Sequence, residues 1–345
     1  MNMNRFVFLM VAASTAGSLA ALAQMNQSPT AHPNGLGLSY RFGLNISAKF
    51  SGLGGFPAQT DAGPATGGGI NRTYDDGFNH LDGSGNVGGL TWNWGYANAS
   101  QVPGNDTVVM HSSSSPANVS NERDGDPQHG FELTYNRQLG TFAKLPWGLE
   151  LAFNYMDLTI RDSQGLAAPV NRLSDAYALG GIIAPLAPYA VNSTGPGPMI
   201  GDSPTRTMTV IPGGAGLVGQ RNLDATVFGW RLGPYLEIPL SSRVAFSLSG
   251  GLAVALIDSD FSFTESVTIA GVGTVSHSGS GSDDEFLWGV YLAGTFSYAV
   301  SQHVSVFAGV QYQNIGRFSQ TAAGKTAELD LGRSAFVTTG LAWTF

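Results

Sequence analysis

Residues 284–300 read DEFLWGVYLAGTFSYAV. Phe286, Trp288, Val290, Leu292, Phe296 and Tyr298 recur at every second position and are large and apolar. Between them stand Leu287, Gly289, Tyr291, Ala293, Thr295 and Ser297, a mixed and mostly small set. A period of two places these sets on opposite faces of an extended strand. The run is long enough for a tilted strand to cross a bilayer, which takes about 9–11 residues.

The same alternation recurs outward from this stretch. Val304, Val306, Ala308, Val310 and Tyr312 form one face of the next segment, and Ala335, Val337, Thr339, Leu341, Trp343 and Phe345 one face of the last. Upstream, Val244, Phe246, Leu248, Leu252, Val254 and Leu256 follow the pattern, as do Phe228, Trp230, Leu232, Leu236 and Ile238. Pro234 falls on that same face, where a paired strand tolerates it best at a bulge. Three earlier runs complete the set: Leu149 to Tyr155, Phe131 to Tyr135, and Leu38 to Ile46.

Eight strands are thus expected, over about 37–50, 129–142, 147–161, 223–240, 243–260, 284–300, 303–319 and 333–345. Their connections alternate between tight turns (KLPW, SSR, SQ) and long segments near 51–128, 162–222, 261–283 and 320–332. Short turns at one end and long loops at the other are the plan of an outer-membrane barrel. The expected fold is therefore all-β: a transmembrane antiparallel up-and-down β-barrel of eight strands, both ends of the chain at the periplasmic side, with long extracellular loops. The alternative is ten strands, with SDAYALGGII (174–183) and TRTMTVI (205–211) as the extra pair. A soluble lipocalin-like barrel or sandwich would have an apolar interior and a polar exterior, the reverse of the pattern here.

Composition agrees. Charged residues make up 12% of the chain, half the usual roughly 25%, and its 47 glycines are near twice the ordinary share. The formal charge of −8 speaks against a nucleic-acid partner. With no cysteine, disulfides, zinc thiolates and thiol nucleophiles are excluded. The N-terminus has a basic residue, Arg5, an apolar run from Phe6 to Ala13 and Ala21-Leu22-Ala23 before Gln24, which reads as a secretory signal over residues 1–23. The expected division is then a short segment at 24–36 and a single barrel domain over 37–345, with large extracellular loops at about 51–128 and 162–222.

The signal, the eight alternating segments and the terminal GLAWTF resemble the small outer-membrane barrels of the opacity-protein and outer-membrane-protein-A transmembrane-domain type. Phe345, Trp343 and Leu341 match that group's terminal aromatic with apolar residues two and four positions before it. The resemblance implies location in a bacterial outer membrane, contact with its lipid and lipopolysaccharide, and recognition of the last strand by the barrel-assembly machinery. The chain stops at the last strand, so no periplasmic peptidoglycan-binding domain is expected.

Charges on the lumen phase are Arg41, Lys49, Glu132, Glu150, Arg231, Glu237 and Arg317. An eight-stranded barrel is only just filled by side chains, so these must pair. Distance along the strands puts Arg41, Glu150 and Glu237 toward the periplasm, and Glu132 and Arg317 toward the outside. Arg137 and Asp157 fall on the lipid phase and are expected near the interfaces. In the first long loop, Asp75, Asp76, Asp82 and Asn86 have oxygen ligands but not the spacing of a calcium loop. Trp92, Trp94 and Tyr96 alternate, giving an aromatic face that either packs the loop or stacks on sugar rings. GAGLVG at 214–219 matches a dinucleotide pattern but precedes a strand, not a helix, and is rejected. His111 beside Ser112–Ser115 lacks a nucleophile elbow. No catalytic residue, cofactor or metal is assigned.

The expected function is a structural or surface-interaction role, adhesin-like, with an extracellular ligand contacted by long acidic loops on a monomer. A narrow porin-like channel for small solutes is the alternative, and an outer-membrane enzyme comes third.

Overall fold

The computed structural model describes residues 34–59, 71–125, 127–191 and 197–345. The expected signal peptide, and the segment after it up to residue 33, lie outside the described residues.

Strands β1 (Asn34–Leu44) and β2 (Ser47–Leu53) come first, then the short β3 (Arg72–Tyr74), β4 (Gly77–Asn79), β5 (Leu90–Thr91) and β6 (Trp94–Tyr96). Next are β7 (Thr107–Ser114), β8 (Val119–Asp124), β9 (Gln128–Phe142), β10 (Leu145–Asp162) and β11 (Leu166–Ala178). The short β12 (Tyr189–Val191) and β13 (Ile200–Gly201) precede three long strands, β14 (Thr205–Pro239), β15 (Val244–Ile269) and β16 (Gly273–Ala299). Strands β17 (Val304–Asn314), β18 (Arg317–Ala322), β19 (Lys325–Asp330) and β20 (Ser334–Thr344) end the series.

Eight of these close a ring in the order β1-β9-β10-β14-β15-β16-β17-β20, all antiparallel. The last residue seals it: Phe345 N donates to Asn34 O at 2.9 Å, and Asn34 N to Phe345 O at 3.3 Å. The ring therefore has no free edge, and the aromatic end of the chain is part of the closure. At the short-turn end, β9 passes to β10 through Ala143 and Lys144, both with positive φ (51° and 70°), the geometry of a two-residue hairpin turn. Pro234 sits in the wall without a register shift; the β14–β15 ladder is merely interrupted there, opposite Gly250 and Gly251.

The ten-strand alternative resolves into something different. The 174–183 and 205–211 segments do pair, as β11 with the start of β14. They do so beyond the ring, with β7 added on the far side of β11. The ring stays at eight.

Three departures enlarge the fold. First, β14, β15 and β16 run far past the ring. At roughly 3.3 Å per residue, β14 beyond Phe228 has a path of about 75 Å, against a bilayer core of about 30 Å. The expected loop at 261–283 is thus mostly strand. Second, strands β18-β19-β2-β8 form a four-stranded sheet over the rim. Third, the alternation resets where the chain enters that sheet. Asn45 adopts φ 59°, after which Ile46, Ala48 and Phe50 point inward and Lys49 outward. Gly316 adopts φ 93°, after which Phe318 is buried and Arg317 faces solvent. A left-handed residue turns the strand and swaps its faces. Lys49 and Arg317 are therefore not lumen residues.

Candidate functional site

The interior is stacked in two layers. Within the ring, Glu132 on β9 bridges two guanidinium groups, Arg41 at 2.5 Å and Arg231 at 2.6 Å. Arg231 also reaches Glu150 at 3.1 Å, and Ser249 Oγ donates to Glu150 at 3.2 Å. Arg41 donates to Gln313 Oε1 at 3.1 Å and lies 3.6 Å from the Phe336 ring centroid. Arg231 stacks over Tyr291 at 4.6 Å. Two positive and two negative charges make a neutral, hydrogen-bonded plug, the condition under which burying charge is tolerable. Of the lumen residues named from sequence, Arg41, Glu132, Glu150 and Arg231 meet at one place. Strand distance had separated Arg41 from Glu132, but the stagger of a closed barrel brings different strand positions to one level. Glu237 lies apart, half-buried and nearer the short-turn end of β14. Arg317 pairs with Asp330 at 3.1 Å and Glu328 at 3.4 Å on the outer surface.

Above the plug the interior turns apolar. Leu158, Ile160, Leu223, Val227, Ile257 and Phe261 share one cluster with Phe50, Phe318 and Leu329 of the rim sheet. Phe50 stacks on Phe261 with centroids 5.9 Å apart. Two buried ion pairs clamp this crown. Arg221 holds Asp162 at 2.7 Å. Lys325 holds Glu265 at 2.7 Å and donates to the carbonyls of Gly52 and Gly54.

The two long loops fold together as one outer lobe. Its core is Tyr74, Trp94, Tyr96, Val108 and Met110 from the first, with Tyr177, Leu179 and Ile200 from the second. Strands β12-β6-β4-β3 form a small sheet across both loops, and β13 pairs with β5. Trp94 stacks parallel to Tyr96 at 5.9 Å, meets Tyr189 at 4.6 Å, and donates from Nε1 to Pro198 O at 2.9 Å. Tyr74 donates to Asp175 at 2.6 Å and lies 2.6 Å from the Tyr177 hydroxyl, while Arg206 grips Asp175 at 2.8 and 2.7 Å. Burial pushes the Tyr177 hydroxyl up to about 12 and raises Tyr74 as well, so both stay protonated at neutral pH.

The aromatic face expected at Trp92, Trp94 and Tyr96 is therefore divided. Trp94 and Tyr96 are core, whereas Trp92 is half-buried. The loop acids serve turns. Asp82 accepts from Ser84 N at 2.8 Å, Ser84 Oγ at 2.5 Å and Trp92 N at 3.0 Å. Asp76 accepts from both His111 N and His111 Nδ1 at 2.7 Å, and Ser112 and Ser113 beside that histidine are buried. The GAGLVG stretch lies inside β14.

Polarity of the outer surface changes along one line. Tyr40, Phe131, Tyr155, Phe228, Leu256 and Phe286 are consecutive cross-strand partners on six ring strands. One step outward along β10, β14, β15 and β16, the row becomes Asp157, Thr226, Asp258 and Asp284. On the short-turn side of that line the outward residues are apolar and exposed, including Leu252 at 60%, Trp288 at 72% and Trp343 at 58%. Just beyond it they are polar, as at Asp157, Asp224, Asp258 and Asp284. A closed ring with a charge-poor apolar belt, edged by aromatics and then by carboxylates, is matched to a bilayer. The chain is an outer-membrane β-barrel. Asp157 lies just outside the belt edge, where Tyr155 and Thr226 hydroxyls donate to it at 2.8 and 3.3 Å. Arg137 stands at the other end, beside Asn34 and Leu149. Leu341, Trp343 and Phe345 are all exposed on the belt.

No family model and no curated protein matches the chain. Among solved structures it is similar to Ail, the attachment invasion locus protein of Yersinia pestis, in complex with the heparin analogue sucrose octasulfate. The identity is 8% over 88% of this chain and 98% of that one, with a TM-score of 0.25. It is similar to the outer membrane protein OprG of Pseudomonas aeruginosa at 14% identity, covering 90% of this chain and 96% of that one, TM-score 0.28. The outer membrane protease OmpT of Escherichia coli gives 10%, with 94% and 99% coverage and a TM-score of 0.29. At this distance no activity carries across to the barrel described here.

Proposed function

We propose that this outer-membrane barrel is a sealed anchor for a rigid outer lobe, and that the lobe makes surface contacts with extracellular partners. The observation that carries the reading is the co-folding of two loops, separated by the whole β9–β10 hairpin, around Trp94, Tyr96, Tyr177 and Ile200. Ordering that much chain has a large entropic cost, met only by a dedicated core. The lumen supports the same reading. An ionic plug and an apolar crown lie in series along it, leaving the outer mass no role as the vestibule of an open pore. Catalysis is not part of the proposal.

In this reading, the barrel's aromatic belt touches outer-membrane lipid, lipopolysaccharide included, and Leu341, Trp343 and Phe345 are the signal offered to the assembly machinery. The test is retention of cells on immobilised matrix proteins and polysaccharides, comparing the natural chain with a Trp94→Ala, Tyr177→Ala variant. Display is equalised through an epitope placed in the turn at Gly271. Retention is expected to fall with the lobe variant. Equal retention at equal display would refute a contact role for the lobe.

A further inference from the structure

The outermost part of β14 is an unfinished sheet edge. On one side, Thr205–Ile211 pairs with β11. On the other, β15 joins β14 only from Ala215 inward, because β15 turns back into β16 after Ile269. Among the described residues no strand pairs with the free side of Thr205–Gly214. The opposite edge of the same sheet is occupied, since Asp75 N donates to His111 O of β7 at 2.8 Å.

The side chains of this edge also break the pattern of the strand. Beyond the belt the outward residues of β14 are polar at Gln220, Asn222, Asp224 and Thr226. They turn apolar at Val218, 60% exposed, and at the open edge are Met208 and Val210, 68% and 58% exposed. The segment reads TRTMTVI, rich in β-branched residues suited to pairing. Natural edges are usually blunted by lysine, proline or inward charge. Here the one charge, Arg206, grips Asp175 in a two-point contact, and the prolines flank the segment at Pro204 and Pro212, leaving Thr205–Ile211 itself able to pair.

We propose that a second copy of this chain, standing on an opposing membrane, adds its own Thr205–Ile211 to this edge. The segment is compatible with itself. Antiparallel pairing centred on Met208 sets Met208 opposite Met208, Thr207 opposite Thr209 and Arg206 opposite Val210, with no like charges face to face. The geometry fixes the orientation. The twofold axis of an antiparallel pair is perpendicular to the sheet. β14 is one strand of one sheet from this edge into the barrel wall, with a bulge at Gly213 (φ 66°) between them. We take the edge to keep the wall's orientation, its normal closer to the membrane plane than to the membrane normal. Rotation about that axis turns the partner to point the opposite way, which two copies in one membrane do not do. A ladder of this length buries less than the roughly 1,200 Å² of standard stable interfaces. A single contact is weak, the protein stays monomeric in dilute detergent, and facing arrays gain strength by avidity. This inference rests on the surface-contact reading and names its partner class.

Proteoliposomes carrying the whole mature chain, labelled in two colours, test it by the frequency of two-colour vesicle pairs. Met208 is outward and exposed, so Met208→Lys and Met208→Glu are expected to fold, as checked by heat-modifiable gel mobility. Each variant alone is expected to lose pairing by about tenfold or more, because like charges then face each other. Mixing Lys vesicles with Glu vesicles is expected to restore it. The proposal is overturned if natural-chain vesicles stay dispersed, if they pair equally with protein-free vesicles, if either variant alone pairs like the natural chain, or if the mixture fails to recover. Failure here with lobe-dependent retention on foreign surfaces intact would remove self-recognition and leave the broader reading standing.

Discussion

Replacing Glu132 with Ala removes the one carboxylate shared by Arg41 and Arg231, at 2.5 and 2.6 Å. The two arginines are not left alike. Arg231 keeps Glu150 at 3.1 Å. Arg41, 1% exposed, keeps only the neutral Gln313 and the face of Phe336. The plug goes from neutral to one net positive charge, and that charge sits on Arg41 with no counter-ion. Breaking a buried pair by removing one partner costs about 3–5 kcal/mol, against a typical total stability of about 5–15 kcal/mol. The expected loss is at the upper end, because two contacts disappear with one side chain. Urea unfolding of the protein in detergent micelles, followed by tryptophan fluorescence and gel mobility, measures it. The double variant Arg41→Met, Glu132→Ala removes the orphan with its partner and is expected to be more stable than Glu132→Ala alone; with the Arg41→Met single it closes a cycle whose coupling is about 1–3 kcal/mol. A single-variant loss below about 1 kcal/mol, or strict additivity in the cycle, would refute the claim that the plug is held by mutual charge compensation.

Trp94→Ala is expected to cost about 3–5 kcal/mol, confined to the lobe; hydrogen exchange should quicken in β3, β6 and β11 but not in the ring, and uniform quickening would contradict this. Two lobe carboxylates should respond oppositely to neutralisation. Burial opposes the charge on Asp82, but donors from Ser84, Trp92 and Asn86 prevail and hold it below the ordinary 3.8, so its contribution is full above that range and lost as pH falls through the depressed value. Burial holds Asp75 above 3.8, so its charged form weighs against the folded lobe at neutral pH. At pH 7, Asp82→Asn should lower the lobe's melting temperature and Asp75→Asn raise it; shifts of the same sign would refute the assignment. Phe345→Asp puts a carboxylate on the lipid-facing end of the closing strand, and is expected to reduce the amount of chain recovered in the outer-membrane fraction; undiminished recovery counts against an assembly role for that residue.

The ring was legible in the sequence because lipid imposes one rule on all eight strands, apolar outward at every second residue, and Leu252, Trp288 and Leu341 all obey it. What lies above the belt obeys the inverse rule. Past Leu256, β15 continues with Phe261, Phe263, Val267 and Ile269 inward and Ser262, Thr264, Ser266 and Thr268 outward. A search for apolar-out alternation ends at the belt and takes the remainder for loop. Lys49 and Arg317 were misplaced for a different reason. Face counting assumes an unbroken strand, and Asn45 and Gly316 each reset it. Gly316 is a visible warning, whereas nothing about Asn45 in LNI marks a left-handed residue. In the lobe, the alternation of Trp94 and Tyr96 announced an aromatic face, but what covers it, Tyr189 and Pro198, lies about a hundred residues away and follows no local pattern. The meeting of Arg41 with Glu132 depends on barrel stagger, which strand-by-strand reading does not supply.

Single-channel recording in planar bilayers tests most directly whether this barrel is an anchor or a pore. A lumen closed by the Arg41–Glu132–Arg231–Glu150 plug and the apolar crown above it predicts no steady conductance from the purified natural chain over a wide voltage range. Steady ohmic conductance that scales with the amount of folded protein, and changes when Glu132 or Arg231 is substituted, would contradict a sealed barrel.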